Sequence, residues 1–397
     1  MQGAGYNVIR EKRLLLDSIG KRRKERVATM KFTIPREVLL KPLQLVTGVV
    51  ERRQTLPVLA NLLIKADESG LSLTGTDLEV EMVAHCSVPV EQPGEVTIPA
   101  RKLADIWRAL PDGAEVSVTV DGERATIKSG RSRFTLATLP AGDFPKVESG
   151  DSDVVISLPQ SHVRKLIDQV SFAMAQQDVR VFLNGMLLEV DGSRVRAVAT
   201  DGHRLAMASK TCETSSGGDA LKQAIVPRKA VVEMGRLLDE EDESLSIQFG
   251  ANHLKVTKGP VTMTTKLVDG QFPDYEKVVP KDASRILSGD RETLKQGFQR
   301  ASILSNEKYR GVRLNISPES LTIQANNPEQ EEAEETVPVQ FSGDQLEIGF
   351  NVSYLLDVLS VVDSDGVQIS VSDANSSALL ESSEDDGAVY VVMPMRL

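Results

Sequence analysis

From Met30 onward the chain alternates between two patterns. A short β-rich segment, KFTI, runs into PREVLLKPLQLVTGVV, where apolar residues recur every three or four positions and predict an amphipathic helix. LLIKA, LSLTGT and EVEMVAHC follow, rich in β-branched residues and alternating apolar with polar, as half-buried strands do. The same order returns in EVTIPARKLADIWRAL, then VSVTV, ATIKS and RFTLAT. Six strand–helix–strands halves are legible, with helices expected over 35–50, 99–110, 159–175, 227–238, 289–303 and 350–361. Pro35, Pro99, Pro159 and Pro227 stand near the expected helix starts, where proline is tolerated. The pattern predicts an α+β fold.

Markers also repeat at long range. Thr76-Asp77 in GTDLEVEM recurs as Thr200-Asp201 in ATDGHRLAM and, more loosely, as Ala325-Asn326 in QANNPEQEEAE, at spacings of 124 and 125 residues. Phe144-Pro145 recurs 128 residues later as Phe272-Pro273, and Met393-Pro394 follows 121 after that. Pro99 recurs as Pro227, again 128 later. A near-constant period implies one structural unit per repeat, and it divides the chain into domains over 30–153, 154–281 and 282–397.

Composition leaves this picture intact. The chain is 41% hydrophobic and 26% charged, which suits a globular core. No apolar run reaches the roughly eighteen residues of a membrane span. Two cysteines, Cys86 and Cys212, are too few for a disulfide framework or a cysteine-rich zinc site, and with no hydrophobic signal segment a cytoplasmic location is expected. His85, His162 and His253 lack metal-ligand spacing, and no phosphate-loop, dinucleotide or zinc-protease motif occurs. Neither metal nor cofactor is expected. His203 near Asp201 could mimic a catalytic pair, but both lie in the repeated Thr-Asp motif, so a pocket wall is the better reading and no catalytic residue is assigned.

Charge changes the picture. Residues 1–29 carry eight basic against three acidic side chains, a net +5 in a chain of −11, so the remainder stands at −16. This segment has too little apolar surface to fold alone and reads as a disordered basic extension, with a DNA-touching arm or a targeting sequence as alternatives. The six expected helices carry thirteen basic against seven acidic residues, a net +6, which leaves −22 for everything else from Met30. Amphipathic helices need a charged outer face in any case. The functional alternative is that these helices share a surface turned towards a polyanion, while an acidic exterior repels it elsewhere.

The stretches TLPVLANLL, LTGTDLE, SGRSRF, QDVRVFLNGML, ATDGHRLA, KLVDGQFPDY, ILSNEKYRGVRL, ANNPEQEEAEE, IGFNVSYLLDVL and VVMPMRL are more specific than any short motif. Through them the chain, from Met30 to its end, resembles the bacterial β sliding clamp family, processivity subunits of the replicative DNA polymerase III. The resemblance implies three tandem domains of the DNA clamp fold and a head-to-tail homodimeric ring around duplex DNA. Twelve helices would line the hole, with antiparallel sheets outside. It implies a non-catalytic tether for the polymerase. Short peptides of the polymerase, the clamp loader, repair polymerases and mismatch-repair proteins would dock on it. Helix packing agrees: twelve helices about 8–10 Å apart enclose an opening of roughly 24 Å, whereas six leave only about 6 Å. A ring held topologically needs only weak phosphate contacts, so sliding stays easy.

The resemblance also places sites. The peptide pocket would be formed by Leu183, Thr200, Gly202, His203, Arg204, Leu205, Pro273, Lys277, Val278, Val391, Met393, Pro394, Met395 and Arg396. Lys277 stands where the family is associated with arginine, which removes the planar fork of a bidentate contact. DNA-facing candidates are Arg53, Lys41, Arg101, Arg108, Gln177, Arg180, Arg228, Lys229, Tyr309, Asn351 and Tyr354. The dimer interface would set Arg131, Arg133, Phe134 and Leu136 against the partner's counterparts of Ile303, Leu304, Glu331, Glu332 and Glu335. A sequence-specific DNA-binding protein is the other rival, but no recognition-helix or zinc-finger signature supports it and the acidic surface opposes it.

Overall fold

The computed structural model describes residues 29–51, 56–145, 147, 150, 152–216, 221–239, 243–281, 284–384 and 386–396. Nearly all of the basic extension, and Arg53, lie outside the described residues. The described chain falls into two compact units, one within Met1–Glu148 with Gly259–Thr264, the other within Ser149–Lys258 with Thr265–Leu397.

Six α-helices occur among the described residues: α1 (Arg36–Gly48), α2 (Ala100–Ala109), α3 (Gln160–Val170), α4 (Arg228–Leu237), α5 (Arg291–Ser302) and α6 (Val352–Val361). Each follows a strand directly. Pro35, Pro99, Pro159 and Pro227 are the N-caps of α1 to α4, so the last strand residue, its φ fixed by the ring, is also the hinge into the helix. The last two helices use side chains instead. Asp290 accepts from the Thr293 N–H at 2.7 Å and Asn351 from the Ser353 N–H at 2.9 Å. The sequence pattern extends α3 to 175, but the helix stops at Val170 and a 3-10 turn, Ser171–Ala173, follows. Ala173, Met174 and Ala175 are all buried, and three consecutive residues cannot share one helical face.

The same strand order recurs three times. It reads Val80–Cys86, Gly70–Thr76, Asn61–Asp67, Gly94–Pro99 in the first unit. In the second unit it reads Arg204–Thr211, Arg194–Thr200, Gly185–Asp191, Lys222–Pro227, and then Glu332–Pro338, Ser320–Asn326, Gly311–Ser317, Leu346–Asn351. The repeat is therefore one of topology as well as of sequence, and the chain is three tandem domains. Its register differs slightly from the expected one. Strands ending at Thr76, Thr200 and Asn326 make Asn326-Asn327, not Ala325-Asn326, the third counterpart of Thr-Asp.

Arginines tie the two helices of each domain. Arg36 Nε donates to the Trp107 carbonyl at 3.1 Å, Arg164 Nη2 to that of Leu238 at 2.7 Å, and Arg291 Nη1 to that of Leu359 at 3.2 Å. All three acceptors lie at the C-terminal ends of helices, where carbonyls lack intrahelical partners.

Within the second unit, the second and third domains share a nine-stranded sheet. The joint is the antiparallel pairing of Arg204–Thr211 with Ala388–Val392, in register from Arg204 opposite Val392 to Ala208 opposite Ala388.

Candidate peptide-binding pocket

The pocket forms at that joint, around the turn Thr200–Arg204. Thr200 Oγ1 accepts from the Gly202 N–H at 3.0 Å and donates to the Arg204 carbonyl at 2.6 Å, while Asp201 Oδ1 accepts from the N–H groups of His203 and Arg204 at 2.9 and 3.0 Å. Thr76 and Asp77 make the same four bonds with Leu78, Glu79 and Val80. The repeated Thr-Asp pair is thus a turn device, as its local hydrogen-bonding capacity suggests. The third residue of both turns has positive φ, +80° at Leu78 and +89° at Gly202. Glycine favours that conformation at 202, and a Cβ there would also press on the Arg180 guanidinium at 3.2 Å.

Ten of the fourteen expected pocket residues line one cavity of about 180 Å³: Leu183, Thr200, Gly202, His203, Arg204, Leu205, Pro273, Val278, Val391 and Met393. Arg180 and Tyr275 complete it. Leu183, Leu205 and Val391 form a buried floor, while Val278 and Met393 stand 36% and 40% exposed at the rim. The Met393 N–H donates to the His203 carbonyl at 3.0 Å, holding the C-terminal strand end against the turn. Four expected members lie elsewhere. Lys277 is ion-paired to Asp274 at 2.6 Å with its side chain 82% exposed. Met395 and Arg396 border a separate polar hollow of about 930 Å³ with Asn306, Tyr309 and Arg313, and Pro394 borders neither.

The walls are fixed by charge. Arg180 forks onto Asp178 through Nε at 3.0 Å and Nη2 at 2.9 Å, which lowers the Asp178 carboxyl to about 2. Arg204 donates through Nε to Asp201 at 3.2 Å, through Nη2 to the Phe172 carbonyl at 2.8 Å, and through Nη1 to Asp357. Its guanidinium lies 5.1 Å from the Phe172 ring and 4.7 Å from the Tyr354 ring. Tyr275 donates its hydroxyl to the buried Glu189 and accepts from Arg196 at 2.6 Å. Burial first, then the Glu189 carboxylate, pushes Tyr275 up to about 12.

The remaining expected residues are dispersed. Lys41, Arg101, Arg108 and Gln177 are exposed, Arg108 paired with Asp105 at 2.8 Å. Arg228 and Lys229 open α4 half-buried. Tyr309 is 53% exposed, with the Lys308 ammonium 5.1 Å from its ring. Three of the DNA-facing candidates also have contacts within the chain: Arg180 lines the pocket, Asn351 caps α6, and Tyr354 stacks on His203 with ring centroids 6.4 Å apart. Arg131 precedes Ser132–Ala137, an edge strand carrying Arg133, Phe134 and Leu136, and Glu332–Pro338 is likewise an edge. Beside the latter, Ile303 is 75% exposed and Leu304 half-buried. Glu331 bonds Asn327, and Glu335 takes both arms of its own chain's Arg300 at 2.9 Å.

Three consecutive segments match the N-terminal, central and C-terminal domains of the DNA polymerase III beta subunit, over residues 30–148, 157–274 and 276–396. The chain belongs to the DNA polymerase III beta subunit family. Among its relatives is a beta sliding clamp from Pseudomonas aeruginosa, 57% identical over 369 residues that cover 93% of this chain and 100% of the relative. A crystal structure of the DNA polymerase sliding clamp from the same organism, with ligand, superposes with a TM-score of 0.90 at 56% identity, over 93% of this chain and 100% of that one. Another clamp structure from that organism, bound to griselimycin, gives 0.89 at the same identity and coverage. The beta subunit family thus accounts for the threefold repeat.

Reading the sequence missed Tyr275, Phe172 and Asp357 as parts of the pocket and its frame. Tyr275 stands two residues from Pro273 in the FPDY stretch already singled out, so proximity could have found it. Asp357 is 153 positions from Arg204, and no local pattern announces that contact.

Proposed function

We propose that the chain works as a DNA sliding clamp: two copies close head-to-tail into a ring around duplex DNA, and the pocket at the joint of the second and third domains tethers the replicative polymerase through a short peptide. The observation that carries this reading is the end-to-end likeness to beta sliding clamps across all three domains. The pocket supports the docking half. It is small, apolar at its floor and lined by Met393, whose unbranched thioether adapts to different side chains. That chemistry suits one or two apolar anchors of an extended peptide from the polymerase, the clamp loader, or repair and mismatch-repair proteins. The edge strands Ser132–Ala137 and Glu332–Pro338 support the ring, since each leaves a row of backbone groups for a partner strand. The tether needs no catalytic group, cofactor or metal, and it acts in the cytoplasm, where the chromosome is replicated.

Topology provides the test. Loaded on nicked circular DNA, the protein stays bound through gel filtration; after the circle is linearised, it runs off the ends. Equal retention on both forms would show ordinary DNA binding and overturn the ring.

A further inference from the structure

We infer that Asp357 is a positioning residue for the pocket, holding Arg204 so that Tyr354 and His203 form a fixed rim. Within the proposed function, this gives one pocket wall its control. Arg204 is held from three sides: its side chain is only 12% exposed, and Nε, Nη1 and Nη2 each donate within the chain, to Asp201, Asp357 and the Phe172 carbonyl. It acts as a pin. Two of its three acceptors belong to the second domain, and Asp357 of α6 is the one that crosses to the third.

The grip on α6 has two points. Tyr354 and Asp357 are three residues apart, hence on one helical face. The ring sits 4.7 Å from the guanidinium and the carboxylate accepts from it. The same Tyr354 ring stacks on His203 at an interplanar angle of 17°, and His203 lines the cavity. Asp357 therefore reaches the pocket through Arg204, Tyr354 and His203 without touching it. Unlike the other five helices, α6 carries no Lys or Arg, and Asp357 is its single charged residue. The Asp357 carboxylate is 46% exposed, and Asp201 and the Phe172 carbonyl still hold the guanidinium without it, so its loss should loosen the rim and leave the fold in place.

Griselimycin is the probe, by calorimetric titration, with Leu205→Ala as the control that tests whether the probe uses this pocket. Asp357→Ala should bind it roughly two- to fivefold more weakly, and Asp357→Glu should recover most of that loss. Histidine-selective NMR supplies a readout that general destabilisation would not move selectively. The chain has four histidines, and the ring protons of His203, shielded by Tyr354, should move downfield in Asp357→Ala while the other three stay put. Unchanged affinity with an unmoved His203 signal would overturn the inference. If Asp357→Ala proves unstable, Asp357→Leu keeps the bulk and removes the acceptor; wild-type behaviour there is equally fatal. Failure of the wild-type protein to bind griselimycin would count against the pocket, and the His203 signal would still decide the role of Asp357.

Discussion

At the scale of single residues, the pocket depends on side chains whose polar ends point away from it. Tyr275 is the clearest case: its ring lines the cavity while its hydroxyl satisfies Glu189, a buried carboxylate also held by Gln223 at 2.5 Å. Removing that hydroxyl in Tyr275→Phe keeps the ring and leaves Glu189 one partner short. The expected loss is about 1–3 kcal/mol of stability, read from denaturant unfolding. The pH dependence has a definite sign. Folding raises the tyrosine from its ordinary 10.0 to about 12, so the protonated form is favoured in the native state. That stability is fully present below pH 10 and is lost as pH rises towards 12. Tyr354 and Tyr390 are also raised, chiefly by burial. The ultraviolet titration of wild type should therefore show a late phenolate phase, diminished in Tyr275→Phe. An undiminished phase would mean that neither burial nor Glu189 raises Tyr275.

Elements were largely legible because each is set by local rules. Prolines at strand ends, apolar spacing and β-branched alternation fix helices and strands within a few residues of one another, and all six helices fall inside their expected spans. The ends that failed are those fixed by burial on all sides, as at Ala173–Ala175. Contacts between elements were legible only through the family resemblance, which brought ten of fourteen expected residues to one cavity, and not from local pattern. Local pattern did not show that Arg180 also lines the pocket and Tyr354 also stacks on His203, because distant segments converge there. The arginine that closes each helix pair is equally silent in sequence. Arg291, first residue of α5, satisfies the carbonyls of Leu359 and Ser364 at 3.2 and 3.1 Å. Arg291→Ala should cost about 1–2 kcal/mol, since it removes charge-assisted bonds and a favourable cation at a helix C-terminus. A melting temperature equal to wild type would show that water replaces the guanidinium without loss.

At the scale of the whole molecule, the question is what covers the two sheet edges. A lone chain exposing Ile303 to 75% beside one edge, and Phe134 and Leu136 half-buried on the other, leaves apolar surface that a partner would bury. The edges also differ in charge: Arg131 and Arg133 on one, Glu331 and Glu332 with Glu335 on the other. In the proposed ring these unlike edges would pair head-to-tail between two copies. Glu335 is already neutralised by Arg300 of its own chain, so its charge should matter less than that of Glu332. These points order a mutational series. Arg133→Glu with Leu304→Ala reverses one charge and removes an apolar anchor, and light scattering at sub-micromolar concentration should find monomers. Glu332→Lys, added to Arg133→Glu alone, should restore part of the dimer by exchanging the charges. Glu335→Gln should leave the proposed dimer nearly intact. A double variant that stays fully dimeric would place the contact elsewhere on the surface, and a failed charge exchange would mean that the two strands meet in a different register.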